Sequence, residues 1–285
     1  MNHRIRNALT GYVLLVPSLA LFTLFSFYPL WRIIWLGFHQ QNRSGTRQRW
    51  VGFSQYRDVL FGDEFKDGLW ITTQFLLLTV PAGLVSGVLL AVIANQRLRG
   101  IRVFQLIFSS TVATSTAVAS VIFFVLLSPG FGYFNDPWIF DLTDPDRAIY
   151  AVALTGIWQN LGLTFVITLA GLQAIPDDVL EAARLDGHGA VATFFRISLP
   201  LIMPALFFLS VVLTTFGLQA FAQIDILTGG GPAGSTEVLV YKIFDRLNPL
   251  GIGEASVMSF GLFVITGLFA LVQFVMFEKR VDYGE

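Results

Sequence analysis

The chain has 285 residues, 54% of them hydrophobic and only 13% charged, with a mean hydropathy of +0.68. An ordinary soluble domain is roughly 25% charged, so the composition argues against a water-soluble fold, and the long apolar blocks match a polytopic helical membrane protein. A formal net charge of −1 without a basic stripe argues against nucleic acid as a partner, and the absence of cysteine removes disulfides, thiolate metal sites and cysteine nucleophiles.

Six blocks approach or exceed the roughly 20 helical residues that a hydrocarbon core demands: residues 11–38, 69–94, 103–127, 148–171, 201–223 and 257–277. Arg4 and Arg6 precede the first, and Ser18-Leu19-Ala20 resembles a signal-peptide cleavage site. Cleavage there would cut an apolar run that continues to Leu36, so an uncleaved anchor is expected. The long polar segment that follows carries Arg43, Arg47, Arg49, Arg57 and Lys66, diluted by Asp58, Asp63, Glu64 and Asp67. In the second block Gly83 and Gly87 have the small-xxx-small spacing of a helix-packing contact. Arg97, Arg99 and Arg102 then crowd a very short loop. Counting Arg4, Arg6, Arg184, Arg196, Lys279 and Arg280 with these three, lysine and arginine are equal in number on the two sides of an alternating topology. Placement decides, because the crowded loop is undiluted by acids, and both termini are expected in the cytoplasm.

Within the blocks ionisable side chains are nearly absent, Arg32 being the main exception. Ion-coupled transporters and pumps carry their coupling charge on intramembrane carboxylates, histidines or lysines. Energy is therefore expected to arrive from elsewhere, which counts against the alternative of an ion-coupled secondary transporter of small polar solutes. The blocks hold amides and hydroxyls at helical spacing instead. Gln159, Asn160, Thr164 and Thr168 lie near one face of the fourth, while Thr215, Gln219 and Gln223 recur every four residues in the fifth beside Phe216. Any one of them has an equal reading as interhelical glue. Two amide-bearing stripes on neighbouring segments favour a solute path that works by neutral hydrogen bonding and stacking.

The run Gly229-Gly230-Gly231-Pro232-Ala233-Gly234-Ser235-Thr236 resembles a phosphate-binding loop only superficially, since it lacks the lysine that must reach the phosphates. It reads as a tight extracytoplasmic turn. His3, His39 and His188 sit far apart in loops, so neither a metal site nor a catalytic triad is expected. A membrane-embedded enzyme is also disfavoured, since the sequence shows no clustered nucleophile, acid or metal ligand.

The loop between the fourth and fifth blocks is larger than a connector needs to be. Pro176 with Asp177 and Asp178 suits a helix start, where a fixed φ and negative charge at the positive dipole end both help. Gly187 suits its stop. The spacing predicts a short helix at the membrane surface, with an acidic and small-residue face that would fit a cleft in another protein.

Glu181-Ala182-Ala183, then Gly187, then Ile197-Ser198-Leu199-Pro200 resemble the signature loop of binding-protein-dependent ABC importer permeases. Trp158, the stretch Ala170 to Pro176, Leu227-Thr228-Gly229-Gly230-Gly231-Pro232, Tyr28-Pro29-Leu30 and Val51-Gly52-Phe53-Ser54-Gln55-Tyr56 resemble its carbohydrate-type branch, which imports sugars or glycerol-3-phosphate. The resemblance implies an all-α permease of type I, a single domain over 1–285 with six transmembrane helices in the inner membrane. It also implies a second homologous permease, an ABC ATPase dimer that alone binds ATP and Mg²⁺, and an extracytoplasmic solute-binding protein. Glu181, Ala182, Ala183, Asp186 and Gly187 would form the coupling helix that docks in the ATPase. Gly231 and Pro232 would face the binding protein. The residues leave the solute open between a neutral sugar or polyol and a glycerol phosphate derivative.

Overall fold

The protein is described from a computed structural model over residues 14–96, 99–130, 132–133 and 140–278. His3, Arg4, Arg6, Arg97, Lys279 and Arg280 lie outside the described residues. Four helices are long and apolar enough to cross a membrane, or up to six if each of two bent helix pairs is one span. The chain divides into two compact units, Met1–Lys66 with Lys242–Phe263, and Asp67–Tyr241 with Val264–Glu285.

In the first unit, α1 (Leu14–Gly37) runs as one long apolar helix. Pro29 lacks the amide that would bond back into the preceding turn, and the helix widens into a π-type turn at Thr23–Phe27 just before it. A short hairpin follows, β1 (His39–Gln41) antiparallel to β2 (Gln48–Trp50) with His39 opposite Trp50. Its turn is closed by Asn42, whose Oδ1 accepts the amides of Thr46 and Arg47 at 3.0 and 3.1 Å. Then come α2 (Ser54–Leu60) and the start of α3 (Asp63–Ala94). Arg246 ties this unit together: its Nε donates to Glu64 Oε1 at 2.9 Å, and its other nitrogens pair with Glu64 and Glu254.

The second unit is built around α6 (Ala148–Gln173), which is buried on several faces where a helix at the edge of a bundle would bury one stripe. Ahead of it lie α4 (Ile101–Ser109), a 3₁₀ turn at Ser110–Ala113, and α5 (Thr116–Leu127). After it come α7 (Asp177–Leu185), α8 (Ala190–Leu201), α9 (Met203–Leu218), α10 (Ala222–Leu227) and α11 (Leu239–Asp245). The last helix, α12 (Ile252–Glu278), runs from the first unit into the second. One core gathers Phe75, Val152, Ala153, Ile224 and Val238, and another Ala91, Phe165, Leu169 and Ile202.

Two blocks that read as continuous helices are broken. The third bends by 108° between Ala113 and Thr116, and the fifth gives way between Leu218 and Ala222; a further bend, of 67° at Ile202, sets α8 off from α9 where the fifth begins. In the third, the run Ser109-Ser110-Thr111 and Thr114-Ser115-Thr116 supplies hydroxyls that compete with the helix for backbone groups. Thr114 and Ser115 are extended, and Ser115 Oγ accepts the Val118 amide at 3.3 Å as the cap of a new helix. The fifth block stops at Leu218 and restarts at Ala222, so the four-residue repeat Thr215, Gln219, Gln223 does not lie on one helix.

Candidate functional site

The second unit carries an open cavity of about 630 Å³. It opens where both interruptions of regular helix face α6: the α4–α5 bend supplies Thr111, Thr114 and Thr116, and the α9–α10 break supplies Gln219, Phe221 and Gln223. From α6 come Gly156, Gln159 and Asn160, from α3 Phe75 and Thr79, and from α9 Phe216. The lining is four carboxamides, four threonines and three phenylalanines among smaller residues, and contains no Asp, Glu, Lys, Arg or His. Gln159 Nε2 donates to Thr116 Oγ1 at 2.6 Å, fixing one amide against the start of α5. The side-chain amides of Asn160, Gln219 and Gln223 take no protein partner among the described residues, which leaves their donors and acceptors for a solute or water.

Five of the six residues that the sequence marks as a solute path therefore meet in one cavity: Gln159, Asn160, Phe216, Gln219 and Gln223. Thr164 does not line it. It is wholly buried one turn further along α6, donates to Asn160 O at 3.1 Å, and packs on Gly87, where any β-carbon would collide with it. Thr168 is likewise wholly buried, its hydroxyl without a hydrogen-bond partner among the described residues, and Thr215 bonds back to Val211 O, so the hydroxyls of Thr164 and Thr215 serve the helices themselves. Gly87 is the packing contact that its spacing predicts, and Gly83 approaches Leu213. Sequence reasoning missed Phe75, Thr79, Phe221 and the threonines of the α4–α5 bend. The hydroxyl-rich run from Ser109 to Thr116 was the available signal for the last of these.

In the connecting loop, α7 occupies the stretch read as a surface helix. Pro176 precedes it, Asp177 and Asp178 fill its first turn, and Asp186 caps its end. Gly187 has φ +79° and open space around it, so glycine is needed there for conformation rather than room. The amides of His188 and Gly187 bond to Ala183 O and Arg184 O, the paired closure of a Schellman stop. Ala183 faces inward at 3% exposure, whereas Glu181, Ala182 and Asp186 are exposed. Leu185, 89% exposed, and Val191 leave apolar side chains uncovered beside them.

The glycine-rich run folds as a turn. Thr236, wholly buried, bonds to Gly231 O at 2.9 Å and pairs with Thr228 at 2.7 Å, and Tyr241 donates to Gly229 O. Gly230, at φ +81°, lies so close to Tyr241 and Glu237 that no β-carbon fits. Gly231 and Pro232 are half-buried in this turn. His39 stacks on Trp35 at 3.9 Å between ring centroids. Among the described residues no group of three His, Cys, Asp or Glu is placed to hold a metal ion.

The profile of the binding-protein-dependent transport system inner membrane component matches residues 83–283. The chain belongs to this family, as a multi-pass inner-membrane transport subunit and not an enzyme. An sn-glycerol-3-phosphate transport system permease protein, UgpA, of Agrobacterium fabrum is 31% identical over 290 residues, covering 98% of each chain. The protein of the same name from Yersinia pestis is 32% identical over 281 residues, covering 95% of each. A chain of a bacterial alginate ABC transporter, solved in complex with an alginate pentasaccharide-bound periplasmic protein, superposes with a TM-score of 0.83 at 21% identity, covering 99% of this chain and 98% of that one. A second, from a bacterial ABC transporter involved in import of the acidic polysaccharide alginate, gives 0.80 at 24% identity over 98% of both. At these identities the likeness establishes the fold, that of the membrane subunit of an ABC transporter.

Proposed function

We propose that the chain is the permease of an ATP-driven importer of a polar, polyhydroxylated solute, and that the cavity facing α6 is its share of the path. The observation that carries this reading is the lining, in which amides and hydroxyls stand beside phenylalanine rings without any charged side chain. A carboxamide both donates and accepts, as a sugar hydroxyl does, and the rings suit the apolar face of a sugar or polyol. Capture is left to an extracytoplasmic binding protein, since a permease that held its solute tightly would not release it.

A second reading is glycerol-3-phosphate, favoured by the names of the UgpA relatives. The N-terminus of α5 opens on the cavity at Thr116, but Ser115 already takes its Val118 amide. A phosphate dianion in a desolvated cavity needs cationic or helix N-terminal partners, so the homologous partner permease would have to supply the positive charge. The neutral solute is the leading reading.

Energy enters through α7. Glu181, Ala182, Ala183, Asp186 and Gly187 form the coupling element, and Leu185 and Val191 supply the apolar surface that an ATPase groove would cover. ATP and Mg²⁺ belong to that ATPase dimer. Both termini, the loop at Arg99 and the loop at Asp186 are cytoplasmic, and Gly231 and Pro232 face the binding protein on the opposite side.

The test is uptake by the complex reconstituted in proteoliposomes with its partner permease, ATPase and binding protein. Asn160→Leu combined with Gln219→Leu lowers solute uptake while the ATPase still co-purifies. Normal uptake by the double variant would place the path elsewhere.

A further inference from the structure

The sequence between the first two spans is not a loose loop. We propose that residues 38–62 form a folded platform that lies in the headgroup and carbonyl layer of the membrane, with aromatic rings among the lipids and arginines on the lipid phosphates.

One side of this platform is committed to the protein. Tyr56 donates its hydroxyl to Ile34 O at 2.9 Å in the last turn of α1, and its ring meets Phe260 of α12 edge-on at 6.0 Å. Burial raises the Tyr56 pKa above its ordinary value, in keeping with a ring sunk into this contact. Leu60 and Phe65 close on Gly261, where no β-carbon fits, and Gln55 is buried beside Gly253. Phe38, the residue after α1, stacks on Trp50 with centroids 5.1 Å apart and meets Phe53 edge-on at 5.0 Å. The hairpin is thereby locked to the end of the span.

The other side is uncovered, and its composition is not that of a water-facing surface. Phe53, Arg57 and Phe61 are linked by successive backbone hydrogen bonds, Arg57 N donating to Phe53 O and Phe61 N to Arg57 O, each 3.1 Å. They therefore form a single line along the outer face of α2. Phe53 is 78% exposed, Phe61 72% and Trp50 62%. Arg43, Arg47, Arg49 and Arg57 are exposed around them. Aromatic rings with arginine are the mixture enriched where hydrocarbon meets water, the ring in the apolar layer and the cation at the phosphates.

Connectivity identifies the occupant as lipid. The platform leaves α1 at Gly37 and enters α3 at Asp63, six residues before the apolar stretch of that helix begins at Leu69, so each end is joined to a candidate membrane span by a short connection. A fold tethered so shortly at both ends stays at the bilayer surface, and an exposed line of rings there meets lipid. The inference rests on α1 and α3 crossing the membrane.

The chain has no cysteine, so a spin label can be placed at one position at a time in the full-length chain. Phe53→Cys and Phe61→Cys are labelled in proteoliposomes of phosphatidylcholine and phosphatidylglycerol, with Leu77→Cys on the exposed face of α3 and Ser44→Cys in the hairpin turn as references. Labels at 53 and 61 are expected to relax with dissolved oxygen in preference to a water-soluble nickel chelate, at a depth between the two references. Equal access of the chelate to 53, 61 and 44 would overturn the platform. So would aqueous labels at 53 and 61 that become shielded only when the binding protein is added, which would make this face a protein-docking surface. A water-accessible label at 77 would instead sink the span assignment. Trp50 provides a check that leaves the exposed rings at 50, 53 and 61 in place. With Trp31, Trp35, Trp70, Trp138 and Trp158 replaced by Phe, its emission is expected to be lost to lipids brominated near the carbonyls and retained against aqueous iodide, and the reverse pattern would overturn the proposal.

Discussion

Gln159 and Gln219 line the same cavity but make different demands on the fold. Gln159 spends its amide on Thr116 at 2.6 Å, whereas Gln219 ends α9 with its side chain unpartnered. Replacing Gln159 by Leu removes one hydrogen bond and is expected to lower stability by about 0.5–1.5 kcal/mol, read as a lower melting temperature in detergent. Gln219→Leu should leave melting unchanged yet raise the solute concentration for half-maximal uptake by roughly threefold to tenfold, the worth of one neutral hydrogen bond. Equal melting losses in the two variants would show that Gln219 serves packing. Thr164 belongs to the opposite category, because its methyl group occupies the space left by Gly87. Gly87→Leu overpacks the contact of α3 with α6 at a cost of about 1–3 kcal/mol. A variant that melts with the wild type would refute this packing role.

At the scale of elements, the proposed function rests on the two helix interruptions that line the cavity and on the short helix α7. The bend at Thr114 and Ser115 brings a threonine-lined corner to the cavity beside α6, and the break after Leu218 places Gln219 on the same cavity's lining. If α7 docks in the ATPase as proposed, the exposed Glu181 would pair with a basic residue there. Truncating one member of a buried charged pair costs about 2–5 kcal/mol, so Glu181→Lys is expected to release the ATPase or to uncouple hydrolysis from uptake. Assembly and transport at the normal rate would remove Glu181 from the coupling contact. Gly187→Val attacks the same element through the backbone, since a left-handed conformation costs a residue with a β-carbon about 1–2 kcal/mol. Fraying of α7 and weakened ATPase co-purification are the expected results, and unchanged co-purification would show that this stop is dispensable.

For the whole molecule the decisive question is orientation, because the proposed docking of α7 on the ATPase and of the Gly231-Pro232 turn on the binding protein requires the two on opposite sides of the membrane. Single cysteines can be read in intact cells with an impermeant thiol reagent. Labelling is expected at Gln48, Pro145 and Gly234, and protection at Arg99 and Asp186. The inverse pattern at 186 and 234 would overturn the topology. Uptake should follow ATP and ignore ion gradients, since the cavity lining offers no titratable group to carry a coupling charge.

The helical, apolar character of the chain, the start and stop of α7 and the turn at Gly229 to Thr236 were legible in the sequence, because each is set by neighbours a few residues apart: run length, a proline, an acid in a first turn, a glycine with positive φ. The stripe of α6 was legible for the same reason, as helical spacing carried Gln159 and Asn160 to one face. What the tertiary structure decided is where each polar group points and where a helix gives way. Thr164 shares the stripe with Asn160 yet turns to Gly87, a choice made by a helix far away in sequence. The third block looks apolar enough to run straight, but it yields at Thr114 because Gly162 of α6 leaves room for Thr111 and Val112 against it. Such breaks depend on the balance between local hydroxyls and long-range packing, and only the assembled bundle supplies the second half of that balance.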